Sequence, residues 1–188
     1  MNKLVDELEK TYNHTNQWLR FAESKNGALI ALDSALIIGI LTLYNSFSLM
    51  KILNYYFFWV ISFLIISMVI SSLSFVPILS KKDEAKKLTE EKIQEKNILF
   101  FYDILNLTPD EYLRSLMKKT KLNGYEINNY ERDYAEQIIN NSKITVRKYK
   151  LFKWALYFFV SGILPFTGLG FIIICIFRKA KGFIDYER

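Results

Sequence analysis

Trp18-Leu19-Arg20-Phe21-Ala22-Glu23-Ser24-Lys25-Asn26-Gly27-Ala28-Leu29-Ile30-Ala31-Leu32-Asp33 carries a charged helical pattern straight into an apolar one. From Gly27 to Tyr44 the one ionisable side chain before the terminal tyrosine is Asp33. A hydrocarbon core of about 30 Å asks for about 20 apolar residues at 1.5 Å rise, so this run predicts a first membrane span. Asp33 then lies inside the span or just beneath its interface. An ionisable group there costs on the order of 2.5–3.5 kcal/mol on insertion scales and turns toward protein or water rather than lipid, which makes Asp33 a functional candidate. Ile37, Ile40 and Tyr44 follow it at i+4, i+7 and i+11 on one helical face. Repeated around a symmetry axis, these four residues would form a carboxylate ring and an apolar constriction of the kind that gates by dewetting.

Two more apolar runs lie farther along the chain. Ile52 to Leu79 and Trp154 to Phe177, 28 and 24 residues, contain no charge, and they hold much of the 51% hydrophobic content of the 188 residues. Such lengths exceed what a buried soluble helix needs. The expected fold is all-α: an integral membrane protein with two or three transmembrane helices, a long N-terminal helix and a helical cytoplasmic domain. Its expected divisions are an N-terminal cytoplasmic helix over residues 1–26, a transmembrane hairpin over 27–79 and a helical cytoplasmic domain over 80–151. A third transmembrane or re-entrant segment over 152–178 and a basic tail over 179–188 complete it. The residues before the first span mix acids with bases and no small-residue cleavage site follows a short apolar core, so the span is expected to be retained.

Before the first span, Val5, Leu8, Tyr12, Thr15, Leu19 and Ala22 alternate in steps of three and four. Two readings fit: a seam for pairing with another helix, or an amphipathic helix lying on the chain's own soluble part. In the second run Ser67, Ser71 and Ser74 share a face, suited either to close helix packing or to lining water. Pro77 near its end is a tolerable kink. Lys81 to Lys150 holds 15 basic and 12 acidic residues, against Lys51 alone in the link between the first two runs, and this asymmetry predicts that the large polar region is cytoplasmic. Gly162, Pro165, Gly168 and Gly170 interrupt the third run. A broken full crossing is the favoured reading there, with a re-entrant turn at Pro165–Gly170 as the alternative, because a tail holding Arg178, Lys179 and Lys181 belongs on the cytoplasmic side.

Within the polar region, Thr108-Pro109-Asp110-Glu111 is a capping box with proline at the first helical position. The helix it opens is expected to end in Lys118-Lys119-Thr120-Lys121 and to be stopped by Asn123-Gly124. From Tyr130 a long helical pattern runs into the third apolar run. Lys118, Lys119, Lys121, Arg132, Arg147, Lys148 and Lys150 interleave with Tyr125, Tyr130, Tyr134 and Tyr149. Cations meet phosphates and rings stack on bases, so the set is a candidate nucleotide site. Lipid headgroups draw the same juxtamembrane cations, and Glu126, Glu131, Asp133 and Glu136 confine any site to a local patch.

The rest of the sequence argues against an enzyme. Cys175 is the single cysteine and His14 the single histidine, and no Gly-rich phosphate loop, nucleophile elbow or paired metal motif occurs. No catalytic residue, metal or cofactor is expected. No internal repeat and no second intramembrane acid supports a secondary transporter.

Three blocks carry a family resemblance: Ala22 through Leu32 entering the first span, Phe101-Tyr102-Asp103-Ile104 with Leu107 through Leu113, and Asn141 through Lys150 before the last run. On these, the chain from about Thr15 to Arg178 resembles the Pycsar effector transmembrane family, the PycTM domain of bacterial antiphage operons. It departs from the family pattern at Ser24 and Asn26, where Asp and Ala are commoner. The resemblance implies a multi-pass effector of the bacterial inner membrane that answers a nucleotide signal by depolarising the host membrane. It implies as partners the lipid bilayer, further copies of the chain, and a cyclic nucleotide or DNA oligonucleotide made by an operon-encoded cyclase or nucleotidyltransferase. An oligonucleotide signal would make it similar to the membrane effector of a Hailong-type system. The expected function is thus an oligomeric ion channel or pore controlled by a nucleotide; the competing reading is a non-conducting anchor or scaffold, which has no need of Asp33.

Overall fold

The computed structural model describes residues 3–46, 51–77, 96–122 and 125–184, with side chains over 3–44, 54–77, 96–122 and 125–164. The helices are α1 (Lys3–Ser46), α2 (Lys51–Ser72), α3 (Phe101–Ile104), α4 (Pro109–Thr120) and α5 (Asn129–Ile184), with a 3-10 turn at Leu73–Phe75. No strand occurs among the described residues. The all-α class and the long N-terminal helix are as expected, α1 running 44 residues without interruption. The start of the polar region at Lys81 and the expected stop at Asn123-Gly124 lie outside the described residues. By packing the chain forms two compact units, Met1–Asn26 with Ser74–Phe152, and Gly27–Leu73 with Lys153–Arg188.

The first unit is built as a soluble domain is. Leu4, Leu8, Thr11, Thr15, Ala22 and Asn26 of α1 are buried at steps of three, four and seven, one helical stripe. Leu4 and Leu8 enter a core with Ile98, Ile104, Leu107, Tyr112, Leu113, Leu116, Ala135, Ile138 and Ile139. The N-terminal seam is therefore occupied within the chain, its Leu8, Thr15 and Ala22 turned inward. Burial pushes the Tyr112 phenol up to about 12. The capping box is present: Thr108 Oγ1 accepts from the Glu111 amide at 3.2 Å, and Glu111 Oε2 accepts from the Thr108 amide at 2.8 Å. Such a cap is worth about 1 kcal/mol.

Helix α4 ends within the expected Lys118–Lys121 stretch. Lys121 adopts φ 58°, and the Leu122 amide donates to the Met117 carbonyl at 2.9 Å, so a left-handed lysine closes the helix at Thr120. A second capping box opens α5, with Asn128 Oδ1 accepting from the Glu131 amide and Glu131 Oε2 from the Asn128 amide, each at 3.0 Å.

The second unit has the character of helices in lipid. Two helices, Lys3–Tyr44 and Asn54–Phe75, contain windows long and apolar enough to cross a membrane. Ile38, Tyr55, Phe58, Trp59, Val69, Trp154 and Leu164 are exposed on its surface, as hydrocarbon permits and water penalises. Its small core is Ile40, Phe57, Val60 and Leu64, flanked by Ile37, Ile61, Phe159 and Ile163. Close approach is secured at Gly162, where an added Cβ would meet Phe63 Cβ at 3.0 Å. Helix α2 ends at Ser72, so Pro77 follows the helix rather than kinking it. Helix α5 continues through Gly162, Pro165, Gly168 and Gly170, where a re-entrant course required a turn.

Candidate functional site

Inside the second unit, Asp33 is fully buried against α2. The Ser67 hydroxyl donates to Asp33 Oδ2 at 2.9 Å. Asp33 Oδ1 has no hydrogen-bond partner among the described residues, nor has the buried hydroxyl of Ser71, one turn along α2 from Ser67. Three other hydroxyls described in the unit are handled differently. Ser34, Thr42 and Ser62 donate back to the carbonyls of Ile30, Ile38 and Phe58, the local solution available to a helix in lipid. Ser67 instead reaches across to the neighbouring helix.

Helical spacing places Ile37 and Ile40 beside Asp33 on the packed face, with Ile40 in the core and Ile37 against it. Tyr44 is exposed and stands off that face. Next to Ile40 an apolar cavity of about 190 Å³ is lined by Leu36, Gly39, Ile40, Leu43, Val60, Leu64 and Ile163. The arrangement is a half-satisfied carboxylate and a hydroxyl without a partner among the described residues, next to apolar side chains; such a pair of polar groups can hold a cation or a water.

The basic residues of the first unit separate into different roles. Lys148 is buried and structural: its Nζ lies 3.1 Å from Glu23 Oε1, donates to the Ser74 carbonyl at 2.6 Å and sits 5.5 Å from the Phe75 ring centroid. Beside it, Asn26 Nδ2 donates to the Ala22 and Lys148 carbonyls at 2.9 and 3.3 Å. This knot ties α1, the 3-10 turn and α5 together. Arg132 pairs with Asp110 at 3.1 Å on the surface, and Lys119 donates to the Lys96 carbonyl at 2.6 Å. Lys118 and Lys121 are exposed.

Arg147 and Lys150 line one cleft, together with Lys143, which was not among the expected residues. Lys143, Arg147 and Lys150, at i, i+4 and i+7 of α5, line a cleft of about 270 Å³ with Leu105 and Val146. Three cations around two apolar walls can take a phosphate and the edge of an apolar or aromatic group. Lys143, the overlooked member, had a signal: it completes the i, i+4, i+7 pattern. Lys148, expected among the nucleotide-binding cations, is instead buried, and its phase with buried Ile138, Ser142 and Thr145 marks it as inward-facing. Among the described residues no group of acids, histidine and cysteine able to hold a metal occurs.

Residues 7–175 match the family model of the Pycsar effector protein domain. No curated protein and no solved structure matches the chain.

Proposed function

Because the chain belongs to the Pycsar effector protein domain family, and is thereby a membrane effector of antiphage defence, we propose that it acts as an oligomeric ion channel or pore, opened or closed by a nucleotide signal, that depolarises the host membrane. The observation that carries this reading is Asp33: a carboxylate fully buried in a helix of transmembrane character, with one oxygen held by Ser67 and the other without a partner. An anchor has no use for such a group, which costs several kcal/mol to keep in lipid. In the proposed channel, copies of α1 and α2 surround an axis, and separation of Asp33 from Ser67 turns the carboxylates toward the ion path. Ile37 and Ile40 form the constriction, and Tyr44 flanks its mouth. The nucleotide, a cyclic one or a DNA oligonucleotide from an operon-encoded partner enzyme, is taken to bind on the cytoplasmic side at the Lys143, Arg147 and Lys150 cleft, with Lys118, Lys119, Lys121 and Arg132 as an outer basic surface.

Asp33→Asn tests the reading, since it keeps size and removes charge. Cation flux in liposomes and single-channel recording should show lowered conductance or cation preference, with oligomer size in native detergent unchanged. Unaltered conductance and selectivity would remove Asp33 from the path, and absence of flux from the wild-type protein with its signal present would favour the anchor. For the signal, Arg147→Glu with Lys150→Glu should abolish nucleotide binding measured by fluorescence polarisation without preventing membrane insertion.

A further inference from the structure

The first unit carries a continuous set of aromatic side chains whose rings meet in series. Tyr102 lies 6.4 Å from Phe100, Phe100 4.9 Å from Phe101, Phe101 5.5 Å from Trp18, and Trp18 6.4 Å from Phe21, centroid to centroid. Phe101 also stacks on Tyr149 at 5.7 Å and 16°. Much of this surface is bare: Phe21 is 50% exposed, Leu99 55%, Phe100 42% and Tyr102 53%. The exposure is not slackness of the chain. The Leu99 amide donates to Asn97 Oδ1 at 3.0 Å, the Phe100 amide to the Asn97 carbonyl at 3.1 Å, and the Asn97 amide to Asp103 Oδ2 at 3.2 Å. A hydrogen-bonded turn thus presents Leu99, Phe100 and Tyr102 outward and consumes the segment's one acid.

Each such half-exposed side chain forgoes roughly 1 kcal/mol of burial, about half the value of full burial, so a contiguous patch of this kind marks a contact surface. Its position selects the contact. Phe21 and Lys25 precede Gly27 by six and two residues on continuous helix, about 9 and 3 Å at 1.5 Å rise. Tyr149 and Phe152 precede Trp154 by five and two residues on α5. Two different helices therefore bring rings to within about 3–9 Å of an apolar run, at the level of the roughly 5–8 Å headgroup layer and just beyond it. Lys25 Nζ sits over three of these rings, 4.5 Å from Phe21, 5.4 Å from Tyr149 and 5.6 Å from Phe152. Aromatic rings with a snorkelling lysine are the composition of a membrane interface.

We propose that Leu99, Phe100 and Tyr102, docked on Trp18 and Tyr149 through Phe101, form an interfacial foot that inserts into the lipid headgroup boundary. The foot fixes the depth and tilt of the soluble unit on the bilayer. It is distinct from the channel reading, and it stands or falls separately from Asp33.

The test uses the full chain with Cys175→Ala and a single reporter cysteine, Leu99→Cys or Tyr102→Cys, carrying an environment-sensitive fluorophore. The protein is reconstituted in phosphatidylcholine–phosphatidylglycerol vesicles, with Lys118→Cys as the control. Both foot positions should emit at shorter wavelength than the control. Lipids brominated near the headgroup end of the acyl chain should quench them severalfold more than lipids brominated at the chain terminus, and should leave the control unquenched. Blue-shifted emission that bromine does not quench, with energy transfer between labelled copies, would make the patch a protein–protein face and overturn the proposal. Water-like emission at both foot positions would overturn it too.

Discussion

Lys148 in the first unit and Asp33 in the second are both buried charges, and they are held in opposite ways. Lys148 has a carboxylate, a carbonyl and an aromatic face around its ammonium. Glu131, also buried in the first unit, accepts from the Asn128 amide and from the Tyr125 hydroxyl at 2.7 Å. Asp33 has Ser67, and its second oxygen is without a partner among the described residues. Desolvating an ion costs several kcal/mol, recovered when its hydrogen-bonding capacity is filled. The first unit fills it and gains a fixed joint between helices. The second leaves it half filled, in a place where any competing partner would bind well.

The largest effect expected from this contrast is on the joint. Glu23→Gln leaves the Lys148 ammonium buried without its counter-ion, the costly way to break a pair, and about 3 kcal/mol of stability should be lost. Lys148→Met places an apolar chain of similar length in the same slot and frees Glu23. Because the Glu23 side chain is 42% exposed, it regains water, and the loss should be nearer about 1 kcal/mol. Hydrogen exchange at the amides of residues 135–146 in detergent reads both. The reverse order would mean that Glu23, not Lys148, is the group desolvated by the fold, and the contrast with Asp33 would lose its basis.

The fold was legible where local chemistry writes itself into spacing. Thr108-Pro109-Asp110-Glu111 announces the start of α4 because a capping box needs only four consecutive residues. The unbroken run from the polar N-terminus into Gly27 announces α1 in the same way. The end of α4 was legible in its basic last turn, but the left-handed cap on Lys121 was not, since residue preference alone would not place a lysine there. Partners distant in sequence were not legible. The pairs Asp33–Ser67, 34 residues apart, and Glu23–Lys148 depend on the facing of different helices. Periodicity could show that Ser67 and Lys148 face inward, but not what they meet there. Within the basic candidates, adjacency in sequence conceals that Lys148 points in while Arg147 and Lys150 line a cleft.

A smaller effect is expected at Ser67. Hydrogen bonds between membrane helices average about 0.6 kcal/mol and reach about 1.7, and the charged acceptor places this one toward the upper end. Ser67→Ala should therefore cost about 1–2 kcal/mol in helix association. In a double-mutant cycle with Asp33→Asn, most of that coupling should vanish. If separation from Ser67 presents Asp33 to the ion path, Ser67→Ala should also raise cation flux through the proposed channel, the opposite of Asp33→Asn. Lower flux from both would mean that serine and aspartate act as one ion site, not as latch and ligand.

The smallest effect on stability, and the sharpest on the contrast, is expected at Ser71. Its hydroxyl is buried beside the Asp33–Ser67 pair and makes no hydrogen bond among the described residues. A hydroxyl that is already unsatisfied has nothing to lose by removal, so Ser71→Ala should be neutral or stabilising by up to about 1 kcal/mol. Ser62→Ala is the matched control, its hydroxyl bonded to the Phe58 carbonyl at 2.8 Å, a local bond whose loss is small and has no bearing on conduction. Thermal stability in detergent should scarcely distinguish the two variants, whereas cation flux should fall for Ser71→Ala alone. That pattern would make the free hydroxyl of Ser71 part of the same conducting face as the free oxygen of Asp33. A loss of about 1 kcal/mol or more at Ser71 would show instead that the hydroxyl gains a partner in the assembled protein. The second unit would then saturate its polar groups as the first does, and the half-filled carboxylate could no longer be taken as the mark of an ion path.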